Sequence, residues 1–197
     1  MDSKKVIAVV SDSHGNFDAL RQVVELHPEL DALLFLGDGM RDFEDLQALY
    51  PTIPMMGVPG NCDYDCMENH TKVYFCGGKK LLLTHGHFYN VKMGTEYLLA
   101  TARAASAAAV LYGHTHWSVA VREPDGLWRI NPGSIGYSRR YALITISGRN
   151  MAQQNTTFRN STGMTALSES EIFLNTSYTP SSAADRKANR IHIVLCD

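Results

Sequence analysis

The chain has 197 residues, of which 45% are hydrophobic, and its formal net charge at pH 7 is −2. This length suits one domain with a sizeable core, and the charge argues against a broad nucleic-acid-binding surface. The N-terminus carries no secretory signal and no apolar run is long enough for a membrane span. We therefore expect a cytoplasmic protein in which the four cysteines, Cys62, Cys66, Cys76 and Cys196, are reduced thiols.

The first half of the chain alternates short apolar runs with amphipathic segments. Residues 6–10, 32–36 and 53–58 predict buried strands, because they are rich in apolar and β-branched side chains. Residues 16–27 and 42–50 predict helices, because their apolar side chains recur at helical spacing. This alternation indicates a parallel sheet covered by helices.

The second half changes to hairpins. Residues 72–76 and 79–84 flank Gly77-Gly78, and residues 119–122 and 127–130 flank Pro124-Asp125-Gly126, so each pair predicts a hairpin. The remaining predicted elements are an alanine-rich helix over residues 93–109, a buried strand over 110–112 and a strand over 141–146.

From residue 147 onward the chain is polar and irregular, with short apolar patches at residues 172–174 and 191–195. We therefore divide the chain into a domain over residues 1–146 and an atypical polar segment over residues 147–197. That segment either adds an edge strand or stays partly disordered.

Polar side chains with metal-ligating chemistry follow the apolar runs. They are Asp12, His14, Asp38, Asn61, His85, His114 and His116. Because the carboxyl ends of parallel strands meet at one edge of a sheet, we expect these side chains to converge. Imidazole, carboxylate and amide oxygen together suit Mn, Fe, Co, Ni or Zn better than Ca or Mg alone. Seven ligands are too many for one ion with an open position, and they suit two ions that share a carboxylate.

Each cluster has an ordinary structural explanation when it is taken alone. Asp12-x-His14 is typical of a helix entry, and Gly37-Asp38 and Gly60-Asn61 are typical of turns. A single histidine such as His85 is more often a core or surface residue than a ligand. The conjunction of five clusters, each after an apolar run, favours the metal site.

Five motifs together resemble the calcineurin-like metallophosphoesterase signature. In chain order they are Asp12-x-His14, Gly37-Asp38, Gly60-Asn61, His85-Gly86-His87 and Gly113-His-Thr-His116. Asn61-Cys62-Asp63 and Asn131-Pro-Gly-Ser134 are similar to its small prokaryotic phosphodiesterase (YfcE-like) branch. The resemblance covers residues 6–146. It implies an α/β fold, the metallo-dependent phosphatase fold, in which two mixed sheets flanked by helices form a four-layer αββα sandwich.

The resemblance also implies a division of the ligands between two divalent ions. One ion would bind Asp12, His14, Asp38 and His116, and the other Asp38, Asn61, His85 and His114. Asp38 would bridge them, with Mn as the expected metal and Ni, Co, Fe and Zn as alternatives. Two such cations lower the pKa of a bridging water to about 7 and neutralise the charge of in-line attack. No nucleophilic side chain is required, so Ser13 and Ser134 need no covalent role.

The chain departs from the family pattern at Cys62. Many members have a histidine there, which is interpreted as the general acid for the leaving group, whereas a thiol offers no cation. Cys62, Asp63 and His87 are therefore the candidate catalytic residues near the leaving group, although His87 could equally be a supporting or surface residue. The candidates for substrate binding are Asn61, His87, Arg139 and Arg140. The arginine pair could equally be solvated.

We expect a two-metal phosphodiesterase that acts on a small phosphate-ester substrate by attack of a metal-bridging hydroxide. A phosphomonoesterase with the same site is one alternative. A non-catalytic interaction scaffold of the retromer-subunit type is another. For partners we expect no membrane and no broad nucleic-acid surface, and homo-oligomer formation stays open.

Overall fold

A computed structural model describes residues 3–148 and 190–195 of the chain. In chain order the elements are β1 (Ser3–Val10), α1 (Phe17–Leu26), β2 (Ala32–Phe35), α2 (Met40–Leu49), β3 (Met55–Gly57), β4 (Thr71–Cys76), β5 (Lys79–Thr84), a 3₁₀ turn (His87–Tyr89), α3 (Glu96–Ala104), β6 (Ala109–Tyr112), β7 (Val119–Arg122), β8 (Trp128–Asn131), α4 (Ile135–Ser138), β9 (Tyr141–Gly148) and β10 (Arg190–Leu195).

The first sheet contains the predicted parallel half. Its strand order is β10-β9-β1-β2-β3. β1, β2 and β3 are parallel, with Ile7 opposite Ala32 and Leu33 opposite Met55. β9 runs antiparallel to β1, and β10 lies parallel to β9 at the edge. The three parallel strands therefore deliver the loops that follow them to one edge of the sheet.

The second sheet contains the two predicted hairpins. Its strand order is β4-β5-β6-β8-β7. The β4–β5 and β7–β8 pairs are antiparallel, whereas β5, β6 and β8 are parallel to one another. The loops after β5 and β6 therefore leave the sheet at the same edge.

Apolar side chains hold the two sheets and the helices in four layers. Ile7, Leu34, Leu83 and Ile144 belong to one buried cluster that joins the facing sides of the two sheets. A second cluster packs α1 and α2 against the outer face of the first sheet. A third packs α3 against the outer face of the second sheet. The expected four-layer αββα sandwich is confirmed.

The alanine-rich helix is shorter than predicted. α3 begins at Glu96, after Gly94, and ends at Ala104 because Ser106 adopts a left-handed conformation (φ 52°). Ala109 instead pairs with Leu81 and Trp128 as the first residue of β6. The ladder outweighs the helix propensity of alanine at this position.

Most of the predicted polar segment lies outside the described residues. Residues 149–189 and 196–197 are outside, and with them the apolar patch at 172–174 and Cys196. The patch at 191–195 falls within the edge strand β10. Among the described residues, Cys62, Cys66 and Cys76 form no disulfide. None of the helices in the described part is long and apolar enough to cross a bilayer.

Candidate metal centre

The seven predicted ligands meet at one edge of the sandwich. Each lies in a loop that follows a parallel strand: β1 for Asp12 and His14, β2 for Asp38, β3 for Asn61, β5 for His85, and β6 for His114 and His116. The two sheets face each other, so these loops approach from both sides. The predicted convergence is present in the structure.

One group consists of Asp12, His14 and His116. Their ligand atoms all lie within 4.8 Å of one another. His14 Nε2 is 3.3 Å from His116 Nε2, and His116 Nε2 is 3.1 Å from Asp12 Oδ1. Two imidazole nitrogens and one carboxylate oxygen therefore surround the same small space.

A second group consists of Asp38, His85 and His114, whose ligand atoms also lie within 4.8 Å of one another. His85 Nε2 is 3.1 Å from Asn61 Oδ1 and 3.5 Å from Asp38 Oδ2. The other ring nitrogen, Nδ1, lies 2.6 Å from the Leu36 carbonyl oxygen, to which it donates. This hydrogen bond orients the ring and leaves Nε2 for the cluster.

Asp38 lies between the two groups. Its Oδ2 atom is 3.5 Å from His85 Nε2 and 3.9 Å from His14 Nε2. Its Oδ1 atom accepts a 2.8 Å hydrogen bond from the backbone N–H of Cys62. Asp38 is thus near histidines of both groups, as a bridging ligand must be; Asp12 Oδ1 also lies 3.9 Å from His14 Nε2 but is further from His85 Nε2, at 4.0 Å.

The charges in this cluster shift the titration of its members. Burial raises the pKa of Asp12. Burial also acts to raise the pKa of Asp38, but the His85 imidazole and the Cys62 backbone N–H outweigh it and hold that pKa well below its usual range. Burial, followed by the charge of His85, lowers the pKa of His114 to about 4. His114 is therefore neutral at pH 7, which is the form that binds a metal.

One buried atom indicates that the cluster fits a cation. Asp12 Oδ1 is shielded from solvent and accepts no hydrogen bond in the part of the chain that the structure describes. An unsatisfied buried polar atom costs about 1–3 kcal/mol, and a charged one costs more. A divalent cation between Asp12, His14 and His116 would satisfy it. The donor set therefore fits divalent metal binding in a His/Asp cluster.

The backbone at this edge is unusual. Asp12, His14, Asp38, His114 and His116 all have left-handed φ angles, of 56°, 47°, 58°, 66° and 60°. This conformation costs roughly 1 kcal/mol or more for a residue with a side chain, and it clusters at functional sites. The loops therefore hold five candidate ligands in conformations that propensity alone would not select.

The Asp63 carboxylate is held by four backbone N–H groups. Its Oδ1 atom accepts hydrogen bonds from the backbone N–H groups of Gly39 and Met40 at 2.9 and 2.8 Å. Its Oδ2 atom accepts from Asp38 and Gly60, both at 2.8 Å. These four hydrogen bonds fix the carboxylate against the loops that carry Asp38 and Gly60, which gives Asp63 a positioning role, and the catalytic role predicted for it stays a prediction.

Other supports were missed by sequence reasoning. Asp42 Oδ2 accepts hydrogen bonds from Ser13 Oγ at 2.6 Å and from Gly15 N at 2.9 Å. Asn131 Nδ2 donates to the Gly113 carbonyl oxygen at 2.8 Å. These contacts join residues 18 to 29 positions apart, so no local spacing could reveal them. The one feature of the sequence that could have indicated a supporting residue is the polar side chain of Asp42 on the otherwise apolar face of α2.

Cys62 and His87 both lie beside the cluster. The sulfur of Cys62 forms a third group with His14 and Asp38 within 4.8 Å. Burial, followed by a hydrogen bond to Asp38 and by the charge of that carboxylate, raises the pKa of the Cys62 thiol to about 11. The ring centroid of His87 is 5.4 Å from that of His85, and burial followed by the charge of His85 lowers the His87 pKa. His87 is thus available as a neutral side chain near the second group.

Arg139 and Arg140, the arginine candidates for substrate binding, follow directly after α4, and the role predicted for Arg140 stays a prediction. Arg139 is exposed, and its Nη1 atom donates to Gln22 Oε1 on α1 at 3.1 Å, so substrate contact by Arg139 is not supported. The stem of Arg140 packs over Gly133. Tyr137 of α4, which the sequence analysis passed over, has its ring 5.1 Å from His14 and 5.4 Å from His116.

A cleft of about 510 Å³ opens beside the cluster. Its lining residues are His14, Gly15, Asp38, Gly39, Met40, Arg41, Asp42, Glu44, Cys62, Asp63, Tyr64, Asp65 and Cys66. His14, Asp38 and Cys62 form its end at the candidate metal centre. The cleft can therefore hold a small ligand in contact with that centre.

Comparison with known proteins gives a consistent result. Residues 6–149 match the calcineurin-like phosphoesterase superfamily domain. The chain is 30% identical over 148 residues to the probable metallophosphoesterase YsnB of Bacillus subtilis (strain 168). The alignment covers 71% of this chain and 83% of YsnB.

Two solved structures are similar to the fold. A conserved predicted phosphoesterase from Streptococcus pneumoniae TIGR4 is 30% identical, with a TM-score of 0.63 over 74% of this chain and 84% of that one. Vacuolar protein sorting 29 from Cryptosporidium parvum is 17% identical, with a TM-score of 0.62 over 75% and 88% of the two chains. The second likeness concerns the fold alone.

Proposed function

The chain belongs to the calcineurin-like phosphoesterase superfamily, and from this premise we propose that it is a metal-dependent phosphodiesterase. The observation that carries the proposal is the buried Asp12 Oδ1 atom, which lacks a hydrogen-bond donor in the described residues. It lies 3.1 Å from His116 Nε2, in a group with His14 and His116 whose ligand atoms are within 4.8 Å of one another. A divalent cation in this group would balance the charge of the buried carboxylate.

We propose two divalent ions, with Mn first to be tested and Fe, Co, Ni and Zn as alternatives. Asp12, His14, Asp38 and His116 would hold one ion, and Asp38, Asn61, His85 and His114 the other. When bound, such ions lower the pKa of a water and stabilise charge on the phosphoryl oxygens. Asp38 suits the bridging position because its Oδ2 atom is near histidines of both groups.

The two serines considered from the sequence, Ser13 and Ser134, do not offer a nucleophile. Ser13 Oγ donates to Asp42 Oδ2 at 2.6 Å and is buried. Ser134 Oγ donates to the backbone oxygen of Asp12 at 2.8 Å and is also buried. Both serines thus shape the loop that carries Asp12, which supports attack by water rather than by a side chain.

The charge of the cleft favours a diester over a monoester. Its lining includes the acidic residues Asp42, Glu44, Asp63 and Asp65, against one arginine, Arg41. A monoester carries close to two negative charges at neutral pH and a diester only one, so the acidic lining repels the monoester more strongly. With Cys62 in place of an imidazole, protonation of the leaving group is weak, which favours substrates with good leaving groups.

A non-catalytic scaffold is the second candidate, because the fold is shared with vacuolar protein sorting 29. The two functions differ in what the metal cluster does. A scaffold can bind metal without turnover, whereas a phosphoesterase must hydrolyse an ester in the presence of metal. Expectations about partners, including homo-oligomer formation and a small phosphate-ester substrate, remain predictions.

Paired aryl substrates test the proposal. The purified full chain would be incubated with an aryl phosphomonoester and the matching diester, each with Mn, Ni, Co, Zn or Mg. We expect hydrolysis of the diester with at least one transition metal, and slower hydrolysis of the monoester. Preference for the monoester would replace the phosphodiesterase with a phosphomonoesterase. No turnover with any metal, in a protein that binds metal, would favour the scaffold.

A further inference from the structure

We propose that Tyr137 contacts the substrate, and that its ring stacks against a planar aromatic substituent of the phosphate ester. The inference rests on the proposed function, because it takes the phosphoryl group of that ester to bind at the candidate metal centre. It names the class of substrate, an ester that carries a planar ring, and the side chain that selects this class.

Tyr137 lies directly beside two of the predicted ligands. Its ring centroid is 5.1 Å from that of His14 and 5.4 Å from that of His116, and the ring planes are tilted by 42° and 34°. Despite these two contacts, Tyr137 is 71% exposed. Much of the side chain is therefore available to a ligand that is bound at the first group of the metal centre.

The other exposed aromatic residues near the centre have different surroundings. Phe88 packs on His87, which is not a predicted metal ligand. Tyr64 belongs to the lining of the cleft. Among the exposed aromatic residues that the structure describes, only Tyr137 has ring contacts with two predicted ligands.

Hydrogen bonds hold α4 against the loop that follows β1. The N–H of Ile135 donates to the Ser11 carbonyl oxygen at 2.9 Å, and the N–H of Gly136 donates to that of Asp12 at 3.1 Å. A Cβ atom at Gly136 would lie 2.2 Å from a carbonyl oxygen of the same loop, so the two segments are in close backbone contact. Tyr137, the next residue, is therefore anchored before a ligand arrives, which lowers the cost of ordering it on binding.

The position of Tyr137 gives the metal centre two open sides. His14 lines the cleft together with Asp38 and Cys62, whereas Tyr137 lies outside the lining of that cleft and contacts the His14 ring. A diester has two organic substituents, so one can enter the cleft while the other lies against Tyr137. A planar ring covers the tyrosine by stacking, and a small alkyl group does not.

Two phosphinates test this role without turnover. Methylphenylphosphinate and dimethylphosphinate each carry one negative charge, as a diester does, and have no ester bond that could be hydrolysed. They differ only in the phenyl group. Calorimetry would measure their dissociation constants for the full chain loaded with Mn²⁺ or, if Mn²⁺ does not bind, with Zn²⁺.

Four proteins would be compared: wild type, Tyr137→Ala, Tyr137→Phe and the matched control Tyr97→Ala, which removes a tyrosine of α3 that is 66% exposed. Wild type should bind the phenyl ligand roughly tenfold more tightly than the methyl ligand, because stacking on an aromatic side chain contributes to binding. This ratio should fall to about threefold or less in Tyr137→Ala and persist in Tyr137→Phe and Tyr97→Ala. Metal affinity should stay close to wild type in all four.

A purely structural role of Tyr137 gives a different result. Tyr137→Ala would then bind metal less tightly and lose affinity for both phosphinates alike, and this outcome would overturn the proposal. Circular dichroism verifies that the variant is folded, and Tyr137→Phe tests the ring in a protein that keeps its packing on the two imidazoles.

The outcomes also separate this inference from the proposed function. No preference for the phenyl ligand in wild type, or a preference that survives in Tyr137→Ala, would overturn the ring contact and leave the phosphodiesterase standing. If neither phosphinate binds, the ring contact is overturned, and the paired aryl substrates decide separately whether the phosphodiesterase stands. Failure of wild type to bind either metal would overturn both proposals.

Discussion

The Oδ2 atom of Asp63 accepts a 2.8 Å hydrogen bond from the backbone N–H of Asp38. Asp63 thereby holds the residue that lies between the two halves of the candidate metal centre. Its Oδ1 atom accepts from Gly39 and Met40 at the beginning of α2, where the helix dipole also favours a negative charge. A side chain that binds no metal in this arrangement thus fixes the loop that presents the central ligand.

Asp63→Asn is expected to weaken both the fold and the metal centre. An amide can replace only one carboxylate oxygen, so two of the four backbone N–H groups would face an NH₂ group. Hydrogen bonds to a charged group contribute about 1.5–3 kcal/mol each, and we expect the free energy of unfolding to fall by about 3 kcal/mol. Urea denaturation measures this loss, and metal titration should show weaker binding.

Asp65→Asn is the matched control for Asp63→Asn. Asp65 lies two residues further along the same loop, its side chain is 95% exposed, and it pairs with Arg41 at 3.8 Å. An exposed pair of this kind contributes little, so stability and metal affinity should stay close to wild type. Equal effects of the two substitutions would contradict the positioning role of Asp63.

Gly60→Ala is expected to displace the central ligand by steric contact alone. A Cβ atom at residue 60 would lie 2.1 Å from Asp38 Oδ1 and 2.5 Å from Asp38 N. Neither atom can move freely, because Oδ1 accepts from Cys62 and the backbone N–H donates to Asp63. We expect a loss of about 1–3 kcal/mol of stability and at least tenfold weaker metal binding. Thermal unfolding and metal titration measure the two effects.

Gly94→Ala provides the comparison. A Cβ atom there would meet Glu96 Oε2, the far end of a flexible side chain. The glutamate can rotate away, so the substitution should be nearly neutral. Weakened metal binding in Gly94→Ala, or normal binding in Gly60→Ala, would contradict the steric argument.

The ligand positions could be predicted because each follows an apolar strand closely in sequence. Asp12 and Asp38 each come two residues after a predicted buried strand, over residues 6–10 and 32–36. Parallel pairing of β1 with β2 brings them together. Strand periodicity and the rule for parallel sheets suffice for this step. The layers of the sandwich follow from the same pattern.

The supports of the site could not be predicted, because they depend on contacts across the fold. Asp63 is separated in sequence from its partners Gly39 and Met40 by more than twenty residues. Propensity scales describe local structure and contain no information about such a contact. Arg139 looked suitable for phosphate binding by its charge and position. Arg139 has a left-handed backbone conformation (φ 54°), and its side chain lies against α1, where it donates a hydrogen bond to Gln22. Side-chain direction at a helix end is set by packing, which the sequence does not display.

Asp12→Asn is expected to stabilise the metal-free protein and to remove its response to metal. Asp12 is inaccessible to solvent, and burial raises its pKa, so the ionised carboxylate is unfavourable without a cation. A neutral amide of the same shape relieves this cost, and we expect the metal-free variant to gain about 1–2 kcal/mol of unfolding free energy. Urea denaturation in the presence of a chelator measures the gain.

The same variant separates stability from metal binding. Metal at a hundred times its dissociation constant should stabilise wild type by about 2.7 kcal/mol, because a ligand of the native state shifts the unfolding equilibrium. Asp12→Asn should show a much smaller shift. A variant that is both less stable without metal and fully responsive to metal would show that Asp12 is not an electrostatic part of the centre.

Asp38→Asn is expected to abolish hydrolysis while the fold stays intact. The amide oxygen can still accept the 2.8 Å hydrogen bond from the Cys62 N–H, whereas the NH₂ group would replace the Oδ2 atom that faces His85 and His14. A neutral group with a donor at that point cannot bridge two cations. Removal of one preorganised electrostatic group typically lowers kcat by a factor of about 10²–10³, and loss of a bridging ligand should lower it at least as much.

The measurement is the rate of diester hydrolysis with Mn, for Asp38→Asn and for the surface control Asp18→Asn. Asp18 lies on α1 and its side chain is 74% exposed. Near-normal turnover by a folded Asp38→Asn variant would rule out a mechanism in which Asp38 joins two metal ions.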